Sequence, residues 1–497
     1  MKKSSATASD SSTKEDSFSS ETKEKSLSSS ENVKSSPSKS KGEIKDTQNN
    51  DDSGDDIVIA FDWNGYDTLC LFVLLFIGIV TRFYLIQYPK SFVDREAMHI
   101  GYINSYLNGS FFVDSQPPLA ELLLAFYAGK SGYRQSIKPH NMNANYTYQS
   151  LEYVSLRTPS TLFSTFVVPL SFINVRLLGG STFASMSAGI FTVFDFLLVS
   201  TSRSITTDGF VQFFVALTVF FSALLRHYNP SSTSWSICII CQSLFAGCAV
   251  ASNWNGISLV LFVVLFNYLT YHTFRPIPVN LSIIFIIFYF AYITHVIFLP
   301  YQSINMKSVS GSYRKDLIKT GQPLRIKHLK VCIHAIELIF ISFKHHVSQS
   351  HIVPVHRWIF MTCKWKVLFR ERGRIVAVFG NLPVWFSIGL ATISEYTKIF
   401  LSRRLREPTA IVFFGYLSGI IFLLLGNSER GLCDYGVPLM FGIWGLSLCF
   451  DSEFPPDTAG FILSSLCVAS MFIYMLWSPF VYGYDSFGSR FLPYFAE

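Results

Sequence analysis

Charge is scarce in this chain: Asp, Glu, Lys and Arg make up 15% of 497 residues, against 50% apolar residues and 48 phenylalanines. With a positive mean hydropathy as well, this composition excludes a soluble enzyme and leaves a polytopic membrane protein. A basic stripe is also missing. The formal net charge of +7 is spread over connecting segments, which gives nucleic-acid binding no support and makes loop charge a reporter of topology instead. Metal-ligand spacing is absent: His345, His346, His351 and His356 have no close acid and no repeat, and Cys238-x-x-Cys241 lacks a partner pair. Those two cysteines, with Cys70, Cys248, Cys449 and Cys467, sit in apolar runs where a thiol behaves as a small hydrophobe.

Residues 1 to about 56 carry almost no aromatic or branched apolar side chain, so they cannot offset the entropy of ordering and are expected to be disordered. No signal-peptide pattern occurs there. The first apolar run, Thr68 to Ile86, is therefore expected to act as the insertion signal, with the tail left in the cytosol. At roughly 20 residues per span, further runs fall near 160–178, 182–200, 208–225, 236–252, 255–272, 279–299, 376–393, 409–426, 435–450 and 459–477. The pattern predicts about eleven transmembrane helices with the two ends on opposite faces. Leu119 to Ala128 is too short to cross and is expected to lie in the interface. The connector 394–408, with Lys398, Arg403, Arg404 and Arg406, falls on the cytosolic side by this count. The basic segment 300–375 falls on the lumenal side, where its length frees it from the positive-inside rule.

The first concentrated polar chemistry follows the first run. Residues 92–119, FVDREAMHIGYINSYLNGSFFVDSQPPL, contain Asp94, Glu96 and Asp114. Acids just beyond a spanning helix can meet a lipid-borne substrate at the membrane surface while a second substrate arrives from water; a solvated loop is the alternative. STSRSITTD, Ser200 to Asp208, places Arg203 and Asp208 at a membrane boundary, where a charge is costly unless it has a partner or a task. The planar fork of arginine suits a phosphate. Alternatively, Arg203 snorkels to the interface and Asp208 caps the next helix. Two sequons, Asn108-Gly109-Ser110 and Asn145-Tyr146-Thr147, are compatible with a lumenal first loop.

The order of these features resembles the protein O-mannosyltransferase family. Asp94 and Glu96, split by Arg95, stand for its acidic pair; His99-Ile100-Gly101, Tyr106, Asn108-Gly109, Phe111-Phe112 and Asp114-Ser115-Gln116-Pro117-Pro118-Leu119 follow its first loop, with Gln116 in place of a histidine. Ser202-Arg203 to Asp208 is similar to the family's Gln-Ser-Arg-x-x-x-x-Asp, and Tyr153 to Arg157 with Pro169-Leu170 to its aromatic, Arg and Val-Pro-Leu pattern. Asn253 takes the place of a lysine before Trp254, and Asp434-Tyr435 stand for a histidine pair. Gly380-Asn381 to Trp385 and Trp477 to Gly483 resemble the closing motifs. The family's MIR trefoil has no room in 300–375.

The resemblance implies an all-α type C glycosyltransferase (GT-C) fold in the endoplasmic reticulum membrane. The regions would be a tail (1–56), a first membrane region (57–299) with lumenal loop 1 (87–157), a lumenal segment (300–375) and a second membrane region (376–497). It implies transfer of mannose from dolichyl phosphate mannose to Ser or Thr hydroxyls of secretory polypeptides, by a single inverting displacement and without a metal or other cofactor. Asp94 is then the expected base; Glu96, grouped with it as catalytic, and the acceptor-orienting Asp114 would hold the acceptor or a neighbouring arginine; Arg203 would face the phosphate and Arg157 would partner the phosphate or a first-loop acid, in a homo- or heterodimer with a related mannosyltransferase. Because Arg95, Gln116, Asn253 and Tyr435 all alter polar motif positions, a non-catalytic or partner-dependent subunit is the second reading. A transporter is the third, although neither a repeated half nor a mid-span acid pair beyond the single Asp195 supports it.

Overall fold

A computed structural model describes residues 62–483 apart from 138–150, 231, 304–305, 320–327, 349–356, 359–364, 372–373, 403–406 and 426–430. The tail, Asn145, His351, His356, Arg403, Arg404 and Arg406 lie outside the described residues.

Helix α1 (Gly65–Phe83) starts at a capping box: the Asn64 side chain accepts from Asp67 N and the Asp67 carboxylate accepts from Asn64 N. This satisfies two of the donors left open at a helix start. Two short helices follow, α2 (Glu96–Asn108) and α3 (Leu119–Lys130), then α4 (Glu152–Leu177), α5 (Thr182–Val193), α6 (Phe196–Ser202), α7 (Asp208–Leu225), α8 (Thr233–Val250), α9 (Ser258–Tyr271) and α10 (Pro276–Phe298). After the short α11 (Gly311–Asp316) and α12 (His328–Ser348) comes a hairpin of β1 (Lys366–Glu371) and β2 (Arg374–Val378). The chain closes with α13 (Leu382–Ser402), α14 (Pro408–Leu425), α15 (Gly436–Glu453), α16 (Pro456–Trp477) and α17 (Pro479–Tyr482).

Among the described residues, eight helices are long and apolar enough to cross a membrane, or nine when the α5–α6 pair, bent by 51°, counts as one span. Of the other expected runs, 409–426 forms the shorter apolar helix α14, and 376–393 is helical only from Leu382, with 376–378 in β2, so the described residues support eight or nine spans where eleven were expected. Side-chain contacts fix which ends meet. At one end the α1 start holds Arg176 of α4 and Thr182 of α5 through Asp67, and Ser181 reaches Asp451 at the end of α15. At the other end sit α2, α3, the hairpin and the connectors around 203–207, 251–257 and 431–435. Large side chains such as Phe72, Phe76, Phe285, Phe290, Phe461 and Phe472 point outward from α1, α10 and α16, as a lipid-facing surface requires. Residues 432–449, by contrast, are all buried.

One close approach shapes the loop 1 end. Gly209, in the first turn of α7, packs on α4 so tightly that a Cβ there would stand 2.0 Å from the Ser160 carbonyl oxygen. Its N–H instead donates to Ser160 Oγ at 3.2 Å. Only glycine permits this contact, and it brings the Arg203–Asp208 connector against the start of α4.

Candidate active site

Loop 1 leaves α1 at Tyr84 and passes under the start of α4 before entering α2. Arg157, in the second turn of α4, is 1% exposed and donates from Nε and Nη2 to the two oxygens of Glu96, at 2.7 and 2.8 Å. Its remaining N–H groups reach the carbonyls of Ile86, Pro89 and Ser91 at 3.0, 3.1 and 3.3 Å. Glu96 is 0% exposed and also accepts from Val93 N at 3.0 Å and Ile205 N at 2.9 Å. Of the expected alternatives for these two residues, the structure shows the first-loop acid holding a neighbouring arginine. All five N–H groups of Arg157 have protein acceptors, so none remains for a phosphate. A buried pair of this kind survives because every donor and lone pair is met.

The bond from Ile205 to Glu96 has a second effect. It ties loop 1 to the connector that carries Arg203, so the acid-bearing loop and the arginine-bearing connector lie at the same end of the bundle. Arg203 ends α6 and points toward the last turn of α1, where Nη1 donates to the Arg82 carbonyl at 2.5 Å and Nη2 to that of Leu85 at 3.1 Å. Its guanidinium lies 4.6 Å from the centre of the Tyr482 ring. Among the described residues only two of its five N–H groups have protein acceptors, which sets it apart from Arg157.

Asp94 sits two residues before Glu96 in a different environment. Its backbone is left-handed, with φ of +49°, a conformation that Asp tolerates better than most residues and that is over-represented at functional sites. The carboxylate is 13% exposed and lies 3.9 Å from Lys366 Nζ on β1.

His99 and Tyr102, one and two turns along α2 from Glu96, build a second acidic cluster. Asp114 accepts from Tyr102 Oη at 3.3 Å, while His99 Nδ1 meets Glu121 Oε1 at 2.5 Å. Burial, and then the Glu121 carboxylate, push Asp114 up to about 7, with His99 opposing. Near neutral pH it can therefore donate or accept a hydrogen bond. Glu121 was not among the expected residues; its one sequence signal is its place in the first turn of a helix opened by Pro117-Pro118. Loop 1 is then pinned to the start of α9, with Trp254 donating to Gln116 Oε1 at 3.2 Å and to Ser115 O at 2.9 Å.

Beside that joint opens a recess of about 310 Å³ lined by Asp208, Gln212, Asn253, Asn255 and Asp434 among others. The positions where the resemblance had expected a lysine and histidines all carry structural bonds. Asn253 Oδ1 accepts from Asn255 N at 2.9 Å, Asn255 Nδ2 donates to Asp434 Oδ1 at 3.1 Å, and the Tyr435 hydroxyl meets that of Tyr416 at 2.8 Å. With two carboxylates and three amides, the named polar lining suits hydroxyl groups better than a phosphate.

Comparison with known proteins agrees with this architecture. The family model for dolichyl-phosphate-mannose-protein mannosyltransferase matches residues 72–305. Dolichyl-phosphate-mannose–protein mannosyltransferase 4 of Candida albicans is 28% identical over 203 residues, 40% of this chain and 26% of that protein. Protein O-mannosyl-transferase 1 of Rattus norvegicus is 27% identical over 213 residues, 42% and 28% of the two chains. The matched region is thus little more than a quarter of each relative's length. In structure, the chain superposes on a protein from the S. cerevisiae protein O-mannosyltransferase Pmt1-Pmt2 complex bound to the sugar donor with a TM-score of 0.72, at 14% identity over 84% of this chain and 90% of that one. ArnT from Cupriavidus metallidurans gives 0.50 at 11% identity, over 85% and 77%. Over residues 72–305 the chain is thus similar to the protein O-mannosyltransferases, and its fold is that of the GT-C glycosyltransferase structures it superposes on.

Proposed function

We propose that this chain is a membrane mannosyltransferase that moves mannose from dolichyl phosphate mannose to Ser or Thr hydroxyls of secretory polypeptides, on the lumenal side of the endoplasmic reticulum. The observation that carries this reading is the Ile205–Glu96–Arg157 link, which joins the acidic loop to the Arg203 connector at one membrane boundary. Asp94 is the general base: it takes the acceptor proton as the hydroxyl oxygen attacks the anomeric carbon and the lipid phosphate departs in one inverting step. Arg203, which has protein acceptors for only two of its N–H groups among the described residues, faces the phosphate. Asp114 orients the acceptor, and the Glu96–Arg157 pair acts as the clamp that keeps these groups in register. No step requires a cofactor, because a guanidinium can neutralise a lipid monophosphate.

A second reading has its own support. Gln116, Asn253 and Tyr435, at altered motif positions, are all engaged in structural hydrogen bonds, which fits a subunit that serves a catalytic partner; the S. cerevisiae relative is a Pmt1-Pmt2 complex. Purified protein in nanodiscs, supplied with dolichyl phosphate mannose and a Ser/Thr-rich peptide, separates the two. The catalytic reading expects transfer by the wild type and none by Asp94→Ala. Transfer that appears only with a partner mannosyltransferase, and equally with both forms, supports the subunit reading.

A further inference from the structure

The hairpin of β1 and β2 fits no expected motif, yet it touches the start of loop 1 at three points. Asp94 N donates to the Leu368 carbonyl at 2.9 Å, Ser91 Oγ donates to Glu371 Oε2 at 3.2 Å, and Lys366 Nζ stands 3.9 Å from Asp94 Oδ1. The register explains the first contact. Val367 pairs with Ala377 and Phe369 with Val376, so Leu368 is the extra residue of a β-bulge. A bulge leaves its extra residue unpaired and re-aims the strand, and here its carbonyl receives the one backbone N–H that fixes Asp94 in the left-handed region.

The other side of the hairpin is anchored in aromatic packing. Trp365 stacks on Phe379 with ring centres 4.1 Å apart and meets Trp477 at 5.1 Å, while Phe379 lies 4.1 Å from Phe196 of α6. Val376 lies against Gly483, one residue past the Tyr482 whose ring carries Arg203. The element that grips Asp94 is therefore packed against the same small cluster that supports Arg203.

We propose that this bulged hairpin is the positioning element for Asp94, with the Leu368 carbonyl setting its backbone and the Lys366 ammonium aiming its carboxylate. The proposal rests on reading Asp94 as the base. It gives a role to a segment the sequence left blank, and it supplies near the reaction centre a cation that Asn253 cannot. Other charged groups facing this corner are Arg95 and Glu96 on the loop itself, Arg157 of α4, held by Glu96, and Glu371 of β1, held by Ser91.

The test compares wild type, Lys366→Gln and Lys366→Arg in nanodiscs by two readouts. The first is carbodiimide labelling of Asp94 across pH, followed by mass spectrometry, which needs no turnover. Lys366→Gln should raise the labelling midpoint by about one pH unit, and Lys366→Arg should hold it near wild type, since a cation within reach favours the charged carboxylate. Equal midpoints in all three overturn the proposal. The second readout is steady-state transfer, in which Lys366→Gln should lower kcat with donor KM unchanged; a raised KM at constant kcat marks Lys366 as a substrate contact and also overturns it. A wild type that transfers nothing, alone or with a partner, counts against the mannosyltransferase reading, while the labelling still decides the hairpin.

Discussion

The start and the end of the 96–114 stretch treat buried carboxylates in opposite ways. At its start, Glu96 is met by two guanidinium N–H groups and two backbone amides, and nothing is left over. At its end, Asp114 accepts from Tyr102 Oη, Ser115 Oγ and the Ser115 and Gln116 amides, but no guanidinium pairs with it among the described residues, and a second acid, Glu121, shares its surroundings. Burial is similar, so burial alone does not set a carboxylate's task. The neighbouring charge does: an acid held by a guanidinium becomes a clamp, and one facing a second carboxylate becomes titratable near neutral pH.

The largest expected break in this comparison comes from Arg157→Met, which strands the Glu96 charge. Removing one partner of a buried pair costs roughly 3–5 kcal/mol, and thermal unfolding in nanodiscs should show it as a large fall in Tm. Adding Glu96→Met should recover much of the loss, since no charge is then stranded. A single variant as stable as wild type would show that the clamp is not structural.

Next in size is the pH response at the other end. Asp114 has a folded pKa of about 7, well above its ordinary value of 3.8. The native state therefore binds the proton more tightly than the unfolded chain, and this contribution is full below about pH 4 and lost as pH rises to about 7. Asp114→Asn should remove that slope and raise stability at pH 7 and above relative to wild type, as melting curves from pH 5 to 8 would report. A slope that survives the substitution assigns it to another group.

A smaller effect is expected at Asp94, between the two environments. Asp94→Gly should leave stability unchanged or raise it by about 0.5–1 kcal/mol, because glycine accepts φ of +49° without strain. A large destabilisation would place Asp94 with Glu96 as a structural residue. The smallest is Asn108→Gln, at an exposed position: about 0.5 kcal/mol or less in stability, with loss of a glycosidase-sensitive mass shift if loop 1 faces the lumen.

Apolar run length was enough to read the helices, since a bundle in lipid must bury or expose whole faces; the first run and α1 differ by three residues at each end. Loop 1 and the Arg203 connector were legible because charges beside spans are few. Pairing was not. Nothing in spacing joins Arg157 to Glu96 across 61 residues, or Asp94 to a hairpin more than 270 residues away. Glu121 was obscured by its apolar neighbours in α3, and Leu368 by the fact that a bulge is defined only by its partner strand.

The most direct test of the account is a double-mutant cycle on the transfer rate, using Asp94→Asn, Arg203→Gln and the pair together in folded protein, with a related mannosyltransferase added to every sample. If both groups serve one transition state, each single variant should lose about 100-fold or more and the pair far less than the product of the two losses. Wild-type rates in either single variant would contradict the account.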